Sequence, residues 1–267
     1  MQLAGRPLVE WSIEAFRAAE SVRSIVVACP PGVRPSSRYA AQTANAGDES
    51  GIGPHGEGEG VVMVDGGATR AESVANALAA VGTELVAIHD AARPLVSASL
   101  IEDVVATLAA DPDADGAIAA TPVTDTIKRA GHRSAGESGA GERGERGGAE
   151  GGAGESGAGQ GGDGPPAATD ITFAMHDMAN VMRFVEETLD RSRLWAAQTP
   201  QVFRADALRR ALEANPDRAT AATDEAMLLE AAGGRVLIHP SPPENLKVTT
   251  PHDLRVAELL LAERSAE

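Results

Sequence analysis

Glu-Leu-Val-Ala-Ile-His-Asp-Ala-Ala-Arg-Pro, residues 84–94, is an apolar run that stops abruptly on an imidazole, a carboxylate and a guanidinium. Leu85–Ile88 is short, and capped helical patterns flank it on both sides, so it reads as a buried strand between two helices. In an open α/β sheet, ligands gather beyond the carboxyl ends of the strands. That rule places His89, Asp90 and Arg93 at a candidate site.

The same alternation extends in both directions. Residues 6–20 space Leu8, Trp11, Ile13 and Phe16 as one helical face. Residues 24–30 and 61–67 are β-branched strands, the second stopped by Gly66-Gly67. Residues 69–82 predict a helix with a Thr69/Glu72 capping box, an apolar stripe of Val74, Leu78 and Val81, and Gly82 at its end. Residues 99–110 predict another, with a Ser99/Glu102 box. Strand-like 116–123, helical 204–214 and 223–234, strand 235–240 and a final helix with Thr250 at the N-cap and Pro251 at N1 complete the series. Such alternation predicts an α/β fold with a doubly wound, mostly parallel sheet in a single domain, 1–267.

Two stretches break the pattern. Residues 36–60 predict a long surface loop. Residues 131–170 hold 15 of the 29 glycines and almost nothing apolar. They cannot bury enough surface to offset chain entropy, which predicts a disordered insertion.

The chain of 267 residues carries a formal charge of −16. That balance argues against a nucleic-acid groove or an anionic membrane surface, but leaves room for a local basic pocket. The single cysteine, Cys29, excludes an internal disulfide, and its apolar setting predicts a buried small hydrophobe. No apolar run has the length of a membrane span, and Met1-Gln-Leu-Ala-Gly lacks signal-peptide character, so a cytoplasmic location is expected.

The strand ends carry the chemistry. Gly66-Gly67 before a capped helix offers close backbone approach and helix N-terminal N–H groups, or is simply a tight turn. Neither a dinucleotide fingerprint nor a Walker loop is present. Asp90 suits a hard divalent cation and Arg93 a phosphate; the plainer alternative is an Asp–Arg ion pair. Thr126 and Lys128 follow a third strand, Thr223 begins a helix, and Lys247 lies between a strand and a helix, where a solvated surface charge is the plainer reading. Arg93, Lys128, Arg191 and Lys247, placed at one end of the sheet in an acidic chain, point to a small polyanionic substrate.

Taken together, GGATRAESV (66–74), VAIHDAARPLV (86–96), PVTDTIKR (122–129), DRSRLWAAQTPQVF (190–203), ATDEAMLLEAAGG (222–234) and ENLKVTTPHDLRVAE (244–258) resemble the 2-C-methyl-D-erythritol 4-phosphate cytidylyltransferase family of the non-mevalonate isoprenoid route. The resemblance implies a Rossmann-like nucleotidyltransferase fold with a protruding β-arm, a homodimer, and magnesium or another divalent cation. It implies attack of methylerythritol phosphate on the α-phosphate of CTP with loss of pyrophosphate. Carried across, Gly67, Ala68 and Ser73 match the cytidine loop, and Asp90 and Ala91 match the metal-proximal carboxylate and its neighbour. Arg93, Thr126, Thr199 and Thr223 match sugar-phosphate contacts. Arg191 and Lys247 match the two cations that position that phosphate. Thr126 and Arg191 also resemble arm residues that reach into the partner's site, and residues 131–170 fall inside that arm.

There are departures. Ala68 stands where the family commonly has an acidic residue. The family also opens with an apolar strand and a Gly-rich loop bearing an Arg and a Lys, whereas MQLAGRPLVEW (1–11) matches the helix after it. The natural start is therefore expected upstream of Met1, and the chain by itself is expected to turn over CTP poorly. Two alternatives stand beside the cytidylyltransferase: a related sugar-phosphate nucleotidyltransferase, and a non-catalytic subunit that dimerises and binds sugar phosphates.

Overall fold

The computed structural model describes residues 1–30, 32, 61–132, 183–214 and 222–264. The expected 36–60 loop lies outside them. So does the expected insertion, apart from Gly131 and His132, which are in a strand. The chain divides into two units: residues 1–124 with 191–267, and residues 125–190.

The first unit opens with a hairpin of β1 (Gln2–Leu3) and β2 (Arg6–Pro7). Its two-residue loop holds Ala4 at φ 48° and Gly5 at φ 76°, the positive values such a tight connection requires. Helix α1 (Leu8–Arg17) follows, then a parallel pair, β3 (Ile25–Cys29) and β4 (Val61–Asp65). Helix α2 (Arg70–Ala79), β5 (Leu85–Ile88), α3 (Ala98–Ala109) and β6 (Gly116–Pro122) come next. After the second unit come β9 (Trp195–Arg204), α4 (Ala205–Ala214), α5 (Glu225–Ala231), β10 (Val236–Pro240) and α6 (Pro251–Arg264).

The larger sheet has the order β10-β6-β9-β5 and is mixed. Strand β10 runs parallel to β6, but β9 is antiparallel to both of its neighbours. The expectation of a mostly parallel sheet is thus met only in part: β10, β6 and β5 run the same way and β9 runs against them. Its residues 195–203 show no strict alternation, because β9 is paired on both edges and its second half is buried throughout, so no solvent face imposes a period of two.

Helices cover both faces, as expected. Ala117, Ala119 and Val202 pack with Phe16, Leu100, Ile101, Val104 and Leu108, so α1 and α3 lie on one face. Ile118 and Phe203 pack with Leu78, Leu208 and Leu229, so α2, α4 and α5 lie on the other. The assignment switches at each successive residue, which is the period of a strand. Val9, Ile13, Cys29, Val61 and Met63 form a further cluster under β3–β4, with Cys29 buried as expected. Among the described residues, β3 pairs only with β4 and β5 only with β9. Between them lies an apolar cleft of about 640 Å³, lined by both strands, α1 and α2, and reaching His89, Asp90 and Ala91.

Helix ends follow local chemistry with two corrections. Thr69 Oγ1 accepts from Glu72 N at 3.1 Å and Thr250 Oγ1 from Asp253 N at 3.2 Å, both as expected. The cap of α3 is Ser97, not Ser99: Ser97 Oγ accepts from Leu100 N at 3.2 Å. Glu102 is drawn away to Ser21, taking its N–H at 2.8 Å and its hydroxyl at 3.1 Å. Gly82 is not the C-cap of α2; Ala80 is, and Gly82 has no positive φ.

The described part of the second unit forms a two-stranded antiparallel ribbon of β7 (Lys128–His132) and β8 (Arg183–Thr188). Arg129 and Glu187 form an ion pair at 2.7 Å, and Lys128 Nζ donates to Thr188 Oγ1 at 2.6 Å. A Cβ on Gly131 would lie 2.5 Å from the Phe184 ring, so the glycine leaves that ring its place. Thr126 and Lys128 both belong to this unit.

Candidate active site

Strand β5 ends where its partner changes. Ile88 pairs with Gln201, and the next partner would be Pro200, which has no N–H to give. On the other edge of β9, Gln201 pairs with Ile118 and Ala197 with Ala120, so Gln198, Thr199 and Pro200 face Ala119 alone. This bulge takes Gln198 and Thr199 off the ladder, as bulges beside functional sites do.

Thr199 Oγ1 accepts the Asp90 N–H at 3.0 Å and lies 3.0 Å from His89 Nδ1. His89 Nε2 is 3.1 Å from the Arg93 carbonyl. Burial pushes the imidazole down to about 4, so the ring is neutral near pH 7. Asp90 is four-fifths covered, and its carboxylate meets Lys247 Nζ at 2.8 Å and Arg70 Nη2 at 3.8 Å. Partial burial pushes the Asp90 carboxyl up, but Lys247, then Arg70 and Arg93, outweigh it and hold it below its ordinary value. Asp90 is thus a fixed anion between two cations.

A buried amide network holds Lys247 there. Gln198 Oε1 accepts from Ser241 Oγ at 2.8 Å and from Asn245 Nδ2 at 2.9 Å. Asn245 Nδ2 also donates to the Thr199 carbonyl at 2.9 Å. The Asn245 carbonyl accepts from Arg93 Nη1 at 2.7 Å, and Val248 N donates to Ala92 O at 2.7 Å. The loop before α6 is therefore tied to β9 and to the Asp90–Arg93 turn.

On the other side, Arg70 opens α2. It forms a two-point pair with Glu225, with Nη2 to Oε2 at 2.8 Å and a second, shorter contact through Nη1. Glu225 is only 2% exposed. Burial pulls the Arg70 guanidinium down, and the Glu225 hydrogen bond and charge more than reverse this.

The structure brings Asp90, Thr199 and Lys247 into direct contact, with Ala91 exposed beside them. Arg93 is nearly fully buried and acts as a strut to Asn245. Gly67, Ala68 and Ser73 stand together at the start of α2, but their loop is not open. Gly67 N donates to Ser73 Oγ at 3.1 Å, Ala68 N to Glu72 Oε2 at 2.7 Å, and Gly66 N to Cys29 O at 2.7 Å. The expected free N–H groups are thus already occupied. Thr223 is exposed, and Asp224, not Thr223, caps α5 by accepting from Met227 N at 3.0 Å. Arg191 begins a short 3-10 turn and donates to the Thr124 carbonyl. Sequence reasoning singled out neither Arg70, Glu225, Gln198 nor Asn245, and only their tertiary partners mark them.

A sheet with helices on both faces and a charged cluster at its strand ends is the architecture of the Rossmann-like nucleotidyltransferases. The crystal structure of 2-C-methyl-D-erythritol 4-phosphate cytidylyltransferase from Thermus thermophilus matches with a TM-score of 0.62 and 27% identity, over 98% of this chain and 92% of that one. The family model of 2-C-methyl-D-erythritol 4-phosphate cytidylyltransferase (IspD) matches residues 1–139 and 162–263, and the chain belongs to that family. A bifunctional IspD/IspF enzyme of Anaeromyxobacter dehalogenans is 36% identical over 97% of this chain and 51% of its own length. The cytidylyltransferase of Parasynechococcus marenigrum is 33% identical over 100% of this chain and 90% of its own. The chain thus spans about half the length of the bifunctional relative. No described helix is long and apolar enough to cross a membrane.

Proposed function

We propose that the protein transfers a cytidylyl group from CTP to 2-C-methyl-D-erythritol 4-phosphate and releases pyrophosphate. The observation that carries this reading is the Asp90 carboxylate clasped by Lys247 at 2.8 Å at the end of β5, in a chain of this family. In the reaction an oxygen of the sugar-alcohol phosphate forms a bond to the α-phosphorus of CTP. The bond from that phosphorus to the bridging oxygen breaks, and pyrophosphate leaves with the electron pair. Such transfers depend mainly on positioning and charge neutralisation. Lys247, about half exposed at 46%, offers its ammonium to the acceptor's phosphate, with Arg191 as a second cation. Thr199 and Thr223 contribute to holding the acceptor, and Thr126, on the arm, to the acceptor site of a partner subunit; Gly67, Ala68 and Ser73 border the cytidine; Ala91 lies beside the metal carboxylate.

Asp90 is also the residue that would hold magnesium. Among the described residues there is no cluster of three metal-ligating side chains. A lone, partly exposed carboxylate fits magnesium, which keeps several waters and takes other oxygens from substrate phosphates. When bound, the ion would neutralise phosphate charge during the transfer. Pairing into a homodimer through the β7–β8 ribbon is part of the same reading, supported by Phe184 and Val185, which are 52% and 60% exposed there.

The test is pyrophosphate release with CTP, methylerythritol phosphate and magnesium, alongside calorimetric titration of each substrate. Lys247→Ala is expected to weaken handling of the sugar phosphate by about 10- to 200-fold, the range for losing one charge-assisted contact. Sugar-phosphate binding without pyrophosphate release would support the non-catalytic alternative. No saturable binding of either substrate would overturn the proposal.

A further inference from the structure

For a neutral imidazole, the groups around His89 leave one arrangement of protons. The Arg93 carbonyl can only accept, so the His89 nitrogen 3.1 Å from it, Nε2, carries the proton. Nδ1 is then an acceptor. Among the described residues, the proton it meets is that of the Thr199 hydroxyl, 3.0 Å away. With its proton committed, Thr199 Oγ1 meets the Asp90 N–H as an acceptor at 3.0 Å. The opposite tautomer would set two acceptors against each other at the Arg93 carbonyl. The ring is held in place by more than these bonds: its centroid is 5.2 Å from that of Phe16, and the Arg93 carbonyl is also approached by Ser12 Oγ at 3.5 Å.

We infer that His89 is a positioning residue of this site, which orients the Thr199 hydroxyl so that Thr199 anchors the Asp90 backbone and can meet a ligand only as a hydrogen-bond acceptor. The consequence concerns specificity. A hydroxyl whose proton is held by His89 has nothing to donate to a phosphate oxygen. Thr199 is only 4% exposed, and whatever part of the acceptor reaches its Oγ1 must itself donate: a hydroxyl of the sugar alcohol can, and a phosphate oxygen cannot. The proposal rests on the cytidylyltransferase reading for the identity of the acceptor, but the proton arrangement does not depend on it.

The experiment has two arms. In protein labelled with ¹⁵N at histidine, long-range proton–nitrogen correlations report the tautomer, and the His89→Asn variant assigns the signal. A protonated Nε2 with an unprotonated Nδ1 is expected; the reverse tautomer, or an average of both, would overturn the inference. The Asp90 amide resonance should also move in Thr199→Val and in His89→Phe, which keeps ring packing against Phe16. In the second arm, kcat and KM for methylerythritol phosphate are measured in the variants. Thr199→Val and His89→Phe are expected to lose about tenfold in kcat/KM, as for one lost positioning hydrogen bond. His89→Asn places an amide oxygen near the Nδ1 position and should recover part of that loss; His89→Gln, which reaches the Nε2 position instead, should not. Equal losses in all three His89 variants would mean that His89 only fills space. If the wild type binds neither substrate, the functional proposal fails; if it binds them without cytidylyl transfer, the resonance arm alone decides this inference.

Discussion

The contact between Arg70 and Glu225 allows a quantitative test of how the site is held. An arginine in the first turn of a helix sits at the unfavourable end of the helix dipole, so Arg70 at the start of α2 gains its place from a partner. That partner, Glu225, opens α5 and is 2% exposed, whereas Arg70 is 39% exposed. Removing one member of a fully buried pair costs about 3–5 kcal/mol, because the other charge is left buried alone. Two features reduce the figure here. Water can enter the space that Arg70 leaves at its exposed end. The α5 N-terminus also still faces the carboxylate, worth up to about 1 kcal/mol. Arg70→Ala should therefore lower stability by about 2 kcal/mol, which in a domain of this size is roughly 4–8 °C in Tm. Urea and thermal unfolding at pH 7 measure it. Arg70→Met combined with Glu225→Leu removes both charges and keeps the volume, so it should return close to wild type. A cycle over the two sites should then show coupling of about 1–3 kcal/mol. If Arg70→Ala stays within about 0.5 kcal/mol of wild type, the typical scatter for surface substitutions, or if the paired variant is as unstable as the single one, the pair does not hold α2 to α5 and the reasoning fails.

Two further outcomes follow from local geometry. A Cβ on Gly67 would lie 2.1 Å from Glu72 Cβ and 2.7 Å from Glu72 Oε2. Gly67→Ala should therefore displace Glu72 from Ala68 N and destabilise by about 1–3 kcal/mol, read as a lowered Tm, with weaker CTP binding by calorimetry if this loop borders the cytidine. Asp253 accepts from Thr249 N, Thr250 N and Thr249 Oγ1, and these bonds hold its carboxyl at about 2 against an ordinary 3.8. Because the folded value is the lower one, this stabilisation is present above the ordinary value and is lost as pH falls from about 4 to about 2. Helix α6 should loosen in that window, and Asp253→Asn should remove the acid-dependent part of the helical circular-dichroism signal; an unchanged acid profile would count against the cap.

What the sequence determined by itself is what local chemistry determines. The apolar spacing of Leu8–Phe16, the β-branched run Ile25–Cys29 and the Thr69 and Thr250 caps lie within a few residues of the groups they engage, and the structure has them where the pattern puts them. Asp90 was legible as a candidate because it ends a strand, and Lys247 through the resemblance; that the two meet at 2.8 Å was left to the tertiary structure. Where two local solutions were equally good, tertiary contact chose between them. Ser97 and Ser99 can both cap α3, and Ser97 is the cap while Glu102 is drawn to Ser21, 81 residues away in the chain. The direction of β9, its bulge at Gln198–Pro200 and the partners of Arg70 and Asn245 were not legible at all. The direction of β9 is set by pairing with β5 and β6, and Arg70 and Asn245 find partners 155 and 46 residues away, so no local period records them. Thr199 shows the division most clearly. The resemblance marked it as a candidate, but which way its hydroxyl proton points was decided only when β9 set it between His89 and the amide of Asp90.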